Sequence, residues 1–318
     1  MIFFLGSLDS TLGARYSSSV ISSEVVPDER KPRSKRNGWQ HKVDRRKITE
    51  LEAAGRGSGT GKEYLPWLNR QTFRSIGRCR STGTSPKSGR VHQFFSDIEY
   101  NFFLCLERDK AVIDIREQFP LDRKLTQEVA RNLSISHPVY PGSQVPVVMT
   151  VDFFVTKVVD GKQRYVGYDT KPASAVEDAR TVEKLEIHRE TLALMGSTHH
   201  LVFDTSLQRD VIDKLEWIRR PNVEFAEVTP FDDYWEETER LFLKEFAGAA
   251  PSLTLAQFCK QLDSSMGLTP GTAMTAARQL MFKRILEPDL RARSIQDSTI
   301  SRFSFTAPEE YFVKRSAP

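Results

Sequence analysis

Residues 147–172 read VVMTVDFFVTKVVDGKQRYVGYDTKP, and this stretch decides the fold. Val147 to Val159 is rich in β-branched and aromatic residues, Asp160-Gly161 is a tight-turn dipeptide, and Arg164 to Thr170 runs back. The pattern predicts a β-hairpin. Asp152 stands between Val151 and Phe153, in an apolar run where a carboxylate is costly unless something pairs with it. Side chains alternate faces along a strand, so Asp169 and Lys171 point the same way. Two acids and a lysine converge at one end of the strand pair, which suggests a metal site with an ammonium beside it. The plainer alternative is a surface ion pair between Asp169 and Lys171, with Asp152 at a strand irregularity.

Upstream, His92 to Asp109 (HQFFSDIEYNFFLCLERD) carries Phe95, Ile98, Phe102 and Leu106 at helical spacing and predicts an amphipathic helix. Glu99 flanks that stripe. Ser96-x-x-Glu99 also has capping-box spacing, so position alone leaves Glu99 between a cap and a core-facing site. Ala111 to Phe119 reads as a strand closed by Pro120, and Leu121 to Gln144 as loop, broken at His137-Pro138 and Pro141-Gly142. Downstream, Ser174 to Met195 reads as a long helix opened by a second capping box, Ser174-x-x-Glu177, and ended by Gly196. His199 to Phe203 is a short strand. Helix, strand, hairpin, helix, strand is an α/β order that leaves the hairpin central in a sheet between helices.

Gln208 to Arg219 opens a second, mostly helical region. Leu253 to Leu262 and Thr269 to Phe282 read as helices joined through Met266-Gly267, and Lys283 to Phe305 supplies short strands. This is a winged-helix-like pattern, which serves protein and DNA partners alike. Residues 1–44 mix Ser, Pro and charge without period and read as a disordered basic tail. Lys31, Arg33, Lys35, Arg36 and Lys42, with Arg45, Arg46 and Lys47, suit phosphate or solvent equally. The domains expected are therefore the tail at 1–44, an α/β domain at 45–205 and a helical domain at 206–318.

The segment GRGSGTGKEYLPWL, residues 55–68, ends its glycine run in Gly61-Lys62. It fails the GxxxxGK-[ST] phosphate loop in spacing, and Glu63 replaces the hydroxyl residue. Its expected role is a flexible lead to Tyr64, Leu65 and Trp67, which anchor it to a core. The chain has 318 residues, 39% hydrophobic and 28% charged, enough for two globular domains. No apolar run approaches the roughly 20 residues of a membrane span, and the apolar start MIFFLG is short for a signal peptide. Cys79, Cys105 and Cys259 fit neither a zinc pattern nor a disulfide framework, which favours a reducing cytoplasm. A net charge of +4 and a pI near 8.9 permit a nucleic-acid partner.

Phosphodiester hydrolysis needs an activated water and shielding of the charge that builds on phosphorus and the leaving oxygen. Mg²⁺ on one or two carboxylates supplies both, and a lysine orients or deprotonates the water. The set Glu99, Asp152, Asp169 and Lys171 contains each part: a helix acid, a strand acid, and D-x-K on the next strand. That arrangement is typical of restriction-endonuclease-like nucleases, although the pattern is short and degenerate.

The chain resembles the TnsA family, the endonuclease subunit of heteromeric cut-and-paste transposases. The residues that carry the resemblance are GRGSGTGKEYLPWL, SDIEYNFFLCLE, VIDIREQFPL, VMTVDFFV, and DTKPA followed by RTVEKLEIHRE. They span about residues 55–190 in the family's order, with weaker similarity through LEWIRR toward the C-terminus. The resemblance implies a restriction-endonuclease-like mixed sheet flanked by helices, and a Mg²⁺-dependent endonuclease, with Mn²⁺ able to substitute, that cuts the 5′ strands at transposon ends. A TnsB-like transposase would handle the 3′ ends, and residues 206–318 would dock a TnsC-like AAA+ ATPase. Carried over by motif, Glu99 is the helix acid, Asp152 the strand acid and Lys171 the lysine. Asp169 falls where the family's best-known member has glutamine. By analogy the metal ligands are Glu99, Asp152, Asp169 and the backbone carbonyl of Thr170. Rival readings are a stand-alone restriction-type nuclease and a non-catalytic adaptor of the same fold.

Other residues have plainer expectations. Arg116, Glu117 and Gln118 read as a structural network at the strand end. His199 and His200 are adjacent, face opposite ways on a strand, and read as non-ligands. Arg180 and Lys184 suit DNA phosphate and a solvated helix face equally well.

Overall fold

A computed structural model describes residues 45–69, 80–224 and 232–305. The expectation of a disordered tail at 1–44 lies outside the described residues, as does Cys79. In chain order the elements begin with helix α1 (Arg45–Ala53), strands β1 (Arg80–Ser81) and β2 (Gln93–Phe94), α2 (Asp97–Arg108), β3 (Val112–Pro120) and α3 (Arg123–Asn132). The hairpin follows as β4 (Thr150–Val159) and β5 (Lys162–Lys171), then α4 (Ala179–Leu194) and β6 (Thr198–Phe203). Helices α5 (Arg209–Glu224), α6 (Asp232–Ala247), α7 (Leu255–Ser265) and α8 (Thr272–Phe282) come next, with short strands β7 (Leu286–Glu287) and β8 (Ser304–Phe305). Among the described residues no helix is long and apolar enough to cross a membrane.

The hairpin forms as its residues dictate. Asp160 and Gly161 take φ of 51° and 71°, and positive φ at both central positions matches the right-handed twist of the flanking strands. The main sheet runs β3-β4-β5-β6, antiparallel across β3/β4 and β4/β5 and parallel across β5/β6. A parallel pair needs a crossover, and α4 supplies it. The sheet is thus mixed and flanked by helices. On one face Phe94, Phe102, Phe103, Phe153 and Tyr168 form an aromatic core under α2. On the other, Leu192 of α4 packs with Val151, Phe154 and Leu121. The approach there is close: a Cβ on Gly167 would lie 2.3 Å from Leu192 Cδ1. Gly167→Ala is expected to lower stability by about 2 kcal/mol through overpacking. Leu192→Val in the same chain should recover part of it, as urea unfolding of the two variants will show.

Asp152 sits at a real irregularity. Val151 and Phe153, two residues apart, pack on opposite faces of the sheet. Across from them the ladder pairs Glu117 with Phe153 and Phe119 with Val151, and the intervening Gln118 lies at φ 48°. The ladder stays in register here, and the change of face accompanies the positive φ of Gln118 on β3.

Three expectations need correction. The helix expected from His92 begins at Asp97, because Gln93 and Phe94 pair with β1 and Ser96 is the N-cap. The stretch expected as loop from Leu121 contains α3, capped by Asp122 onto the Leu125 N–H at 2.8 Å; the Pro and Gly breakers all lie beyond its end. The Ser174 capping box does not form. Ala173–Glu177 is a single 3-10 turn, and Asp178 caps α4 through the N–H groups of Arg180 and Thr181. Gly196 closes that helix at φ 71°.

Helices α5 to α8 with β7 and β8 share a separate apolar core around Phe242, Phe246, Phe258 and Leu280. Helix α6 had no counterpart in the sequence reading. Charged side chains join this part to α2. Arg219 of α5 meets Glu107 at 2.7 Å, and Arg108 donates to the Met281 carbonyl at 2.6 Å and also pairs with Glu287.

Candidate active site

The glycine-rich segment is ordered against the sheet edge. Tyr64, only 1% exposed, donates from its hydroxyl to the Glu117 carbonyl, and the Trp67 N–H bonds the Gln118 carbonyl at 3.3 Å. Tyr64 and Trp67 are the anchors. Leu65, expected beside them, is 45% exposed.

Beyond them lies the open end of the β4/β5 pair. The ladder stops at Phe153 and Tyr168, and the Asp152 carboxylate takes over from the backbone. Its Oδ2 accepts from the Thr170 N–H at 2.7 Å, the Thr170 hydroxyl at 2.9 Å and Lys171 Nζ at 3.3 Å. Among the described residues none of its hydrogen bonds goes to Oδ1. Lys171 Nζ also donates to the Thr170 carbonyl at 3.0 Å and lies 3.7 Å from Asp169 Oδ1. Asp152, Asp169, Thr170 and Lys171 are thus brought together, and the expectation that Asp169 and Lys171 share a side holds.

Glu99 reaches this end from α2, where it is the partner of the Ser96 cap and lies within electrostatic reach of Asp152 and Lys171. Its Oε1 accepts from the Ser96 hydroxyl at 2.9 Å, and Oε2 from the Phe95 N–H at 3.1 Å and Gln118 Nε2 at 3.4 Å. Gln118 in turn accepts from the Thr150 hydroxyl at 3.3 Å, so its side chain bridges Glu99 to the start of β4. Burial, with the negative charge of Asp152 second, pushes the Glu99 carboxyl up to about 7. Burial works against the Lys171 ammonium, but the charges of Asp152 and Asp169 overcome it and hold its pKa above the ordinary lysine value. In this state the lysine is a fixed cation rather than a base.

Asp169 is 1% exposed. Its Oδ2 accepts from His188 Nδ1 of α4 at 2.7 Å and from His199 Nε2 of β6 at 2.8 Å. Burial opposes its charge, yet His188 and the hydrogen bonds of both imidazoles outweigh it and hold the carboxyl well below the usual range. The sequence reading missed this. His199 and His200 do face apart, and His200 stacks on Tyr168 at 5.6 Å, but His199 bonds Asp169, 30 residues earlier in the chain, beside His188. A signal was available in α4, where His188 interrupts the buried series Leu185, Ile187, Leu192 and so demands a polar partner.

The neighbouring residues divide. Arg116 lies over the Phe154 ring at 4.7 Å and bonds the Thr156 hydroxyl at 2.9 Å, a structural role as expected. Glu117 is held by Arg90 at 2.7 Å and by His92 Nδ1 at 2.8 Å, while His92 Nε2 meets Ser88 Oγ at 2.6 Å. Serine, histidine and glutamate in this order match a hydrolase relay. Ser88 and His92 are 4% and 0% exposed, however, and Arg90 already neutralises the acid, so the network fastens the β1/β2 ribbon to β3. Arg180 is engaged by Glu183 and the Ser136 carbonyl, both at 2.6 Å.

The donors at the open end are oxygens: carboxylates of Asp152, Asp169 and Glu99 and the Thr170 carbonyl. They suit a hard divalent cation, which takes one or two carboxylates and completes its shell with water. Glu99 is the acid held least favourably as an anion, since burial and the Asp152 charge raise its carboxyl. Among the described residues, the ligand atoms that close within 4.8 Å of one another are those of Asp169, His188 and His199. Glu99 and Asp152 belong to no such group of three among the described residues.

Comparison with known proteins places the chain in a family. The family described as TnsA-like endonuclease N terminal matches residues 109–204, and TnsA endonuclease C terminal matches residues 208–290. The chain is 33% identical over 261 residues to the Transposon Tn7 transposition protein TnsA of Escherichia coli, covering 78% of this chain and 89% of that protein.

Proposed function

From the premise that this chain belongs to the TnsA endonuclease family, we propose that it is the nuclease subunit of a DNA transposition machinery, cutting the 5′ strands at transposon ends. The observation that carries the reading is the Asp152 carboxylate, bonded on Oδ2 by Thr170 and Lys171 and with no hydrogen bond to Oδ1 among the described residues, with Asp169 Oδ1 beside the same ammonium.

In this reading Asp152, Asp169 and the Thr170 carbonyl hold Mg²⁺, with Mn²⁺ able to substitute, and Glu99 acts through its water. The ion, when bound, activates water and shields the phosphate. Lys171 supplies a fixed positive charge that orients the attacking water and offsets charge on the scissile phosphate. Gln118 keeps Glu99 in place. The partners are transposon-end DNA, a TnsB-like transposase acting on the opposite strand, and a TnsC-like AAA+ ATPase. The region 206–318, with its own apolar core, is the docking platform for the ATPase, and the nuclease domain is 45–205. The work is cytoplasmic.

The test is strand-specific cleavage of labelled transposon ends by the chain reconstituted with its transposase and ATPase. Cuts confined to the 5′ strands and abolished by EDTA are expected. Cutting of arbitrary DNA by the chain alone would favour a stand-alone nuclease. No 5′ cut in the full assembly would sink the proposal.

A further inference from the structure

We propose that His188 and His199 are positioning residues: they fix one oxygen of Asp169 and so turn its other oxygen toward Asp152 and Lys171. The inference rests on the nuclease reading above. Both imidazoles reach the same atom, Asp169 Oδ2, at 2.7 and 2.8 Å. They come from different elements, α4 and β6, and their rings stand at 86° to each other. A carboxylate oxygen accepts about two hydrogen bonds comfortably, so Oδ2 is filled. The terminal torsion of an aspartate is broad by itself, and two donors fixed in separate elements remove that freedom. Oδ1 is left 3.7 Å from Lys171 Nζ, on the side of the open end. Partners that orient a metal ligand in this way are commonly worth 10- to 100-fold in metal affinity.

Matching variants separate a clamp from general packing. His188 donates through Nδ1, which an asparagine amide reproduces, and His199 through Nε2, which a glutamine amide reproduces. His188→Leu and His199→Leu are expected to weaken Mn²⁺ binding, followed by electron paramagnetic resonance of the full chain, by roughly 10-fold each. His188→Asn and His199→Gln should stay within about two-fold of wild type, because the donated hydrogen bond survives. In an Asp169→Asn background the leucine substitutions should cost nothing further, since a positioning effect has no target there. With DNA ends, the leucine variants should lower kcat and leave KM for DNA unchanged.

Three results would overturn the proposal. Folded leucine variants that bind Mn²⁺ like wild type leave nothing to position. Equal losses with and without Asp169 mark a purely structural role. Stoichiometric Co²⁺ or Zn²⁺ binding that is lost in His188→Asn and His199→Gln makes the trio a ligand set of its own, since imidazole nitrogen suits those ions. Failure of wild type to bind Mn²⁺, even with DNA present, strikes instead at the nuclease reading and takes the clamp with it.

Discussion

Lys171→Ala is expected to slow 5′-strand cutting on the order of a thousand-fold, the range for removing a charged group that acts on the transition state. The same change should tighten Mg²⁺ binding. The ammonium lies 3.3 Å from Asp152 Oδ2 and 3.0 Å from the Thr170 carbonyl, so it competes with a cation for those oxygens. Removing it lifts that repulsion. Asp152→Asn should lose activity to a similar extent but with weaker Mg²⁺ binding, because a hard ligand is gone. Lys171→Arg is not a rescue, since a planar guanidinium is bulkier and does not replace a compact ammonium between two carboxylates. Single-turnover cleavage and calorimetry on the same preparations give both readouts. A Lys171→Ala protein that cuts at the wild-type rate would remove the lysine from the chemistry; one that loses Mg²⁺ binding would show its role to be assembly of the site.

The hairpin was legible because its signal is local. A β-branched run, a turn dipeptide and a short return strand fix register within a few residues, and register brings Asp169 and Lys171 to one side. Asp152 was legible as a carboxylate out of place, and it has the polar partners that its setting demands. Glu99 joins the cap and lies close enough to Asp152 and Lys171 to feel their charges. What escaped was long-range or short of apolar residues. Helix α3, RKLTQEVARN, shows few apolar residues, and its cap Asp122 follows a strand without a break. His188 lies 19 residues from Asp169, and only the crossover through α4 makes them neighbours. Gln118 reaches Glu99 because its backbone takes an uncommon φ that no residue pattern announced.

Glu99 should make the metal-free protein less stable as pH rises, which is the reverse of the usual carboxylate effect. Its carboxyl titrates near 7 in the folded chain against an ordinary 4.5, because burial and the charge of Asp152 disfavour its anion. Between those values the native state holds a proton that the unfolded state has released. Stability therefore falls as pH climbs through that window and is lowest above 7. A displacement of this size corresponds to about 3 kcal/mol. Urea unfolding without divalent cations should show wild type losing roughly that much between pH 5 and pH 8 from this group. Glu99→Gln, neutral at both pH values, should lack this component of the fall and be the more stable protein at pH 8. Mg²⁺ reverses the order by favouring the anion, so it should stabilise wild type more than Glu99→Gln. Binding near pH 7 should also expel about half a proton, visible as a dependence of the calorimetric heat on buffer. The same pH dependence in Glu99→Gln as in wild type would mean that the acid is already ionised when metal arrives, and Glu99 would then be a cap and nothing more. The expected outcome ties the two roles together: Ser96 and Gln118 hold the acid in place, burial and the Asp152 charge keep it protonated, and the arriving cation draws out its charge where the water must be oriented.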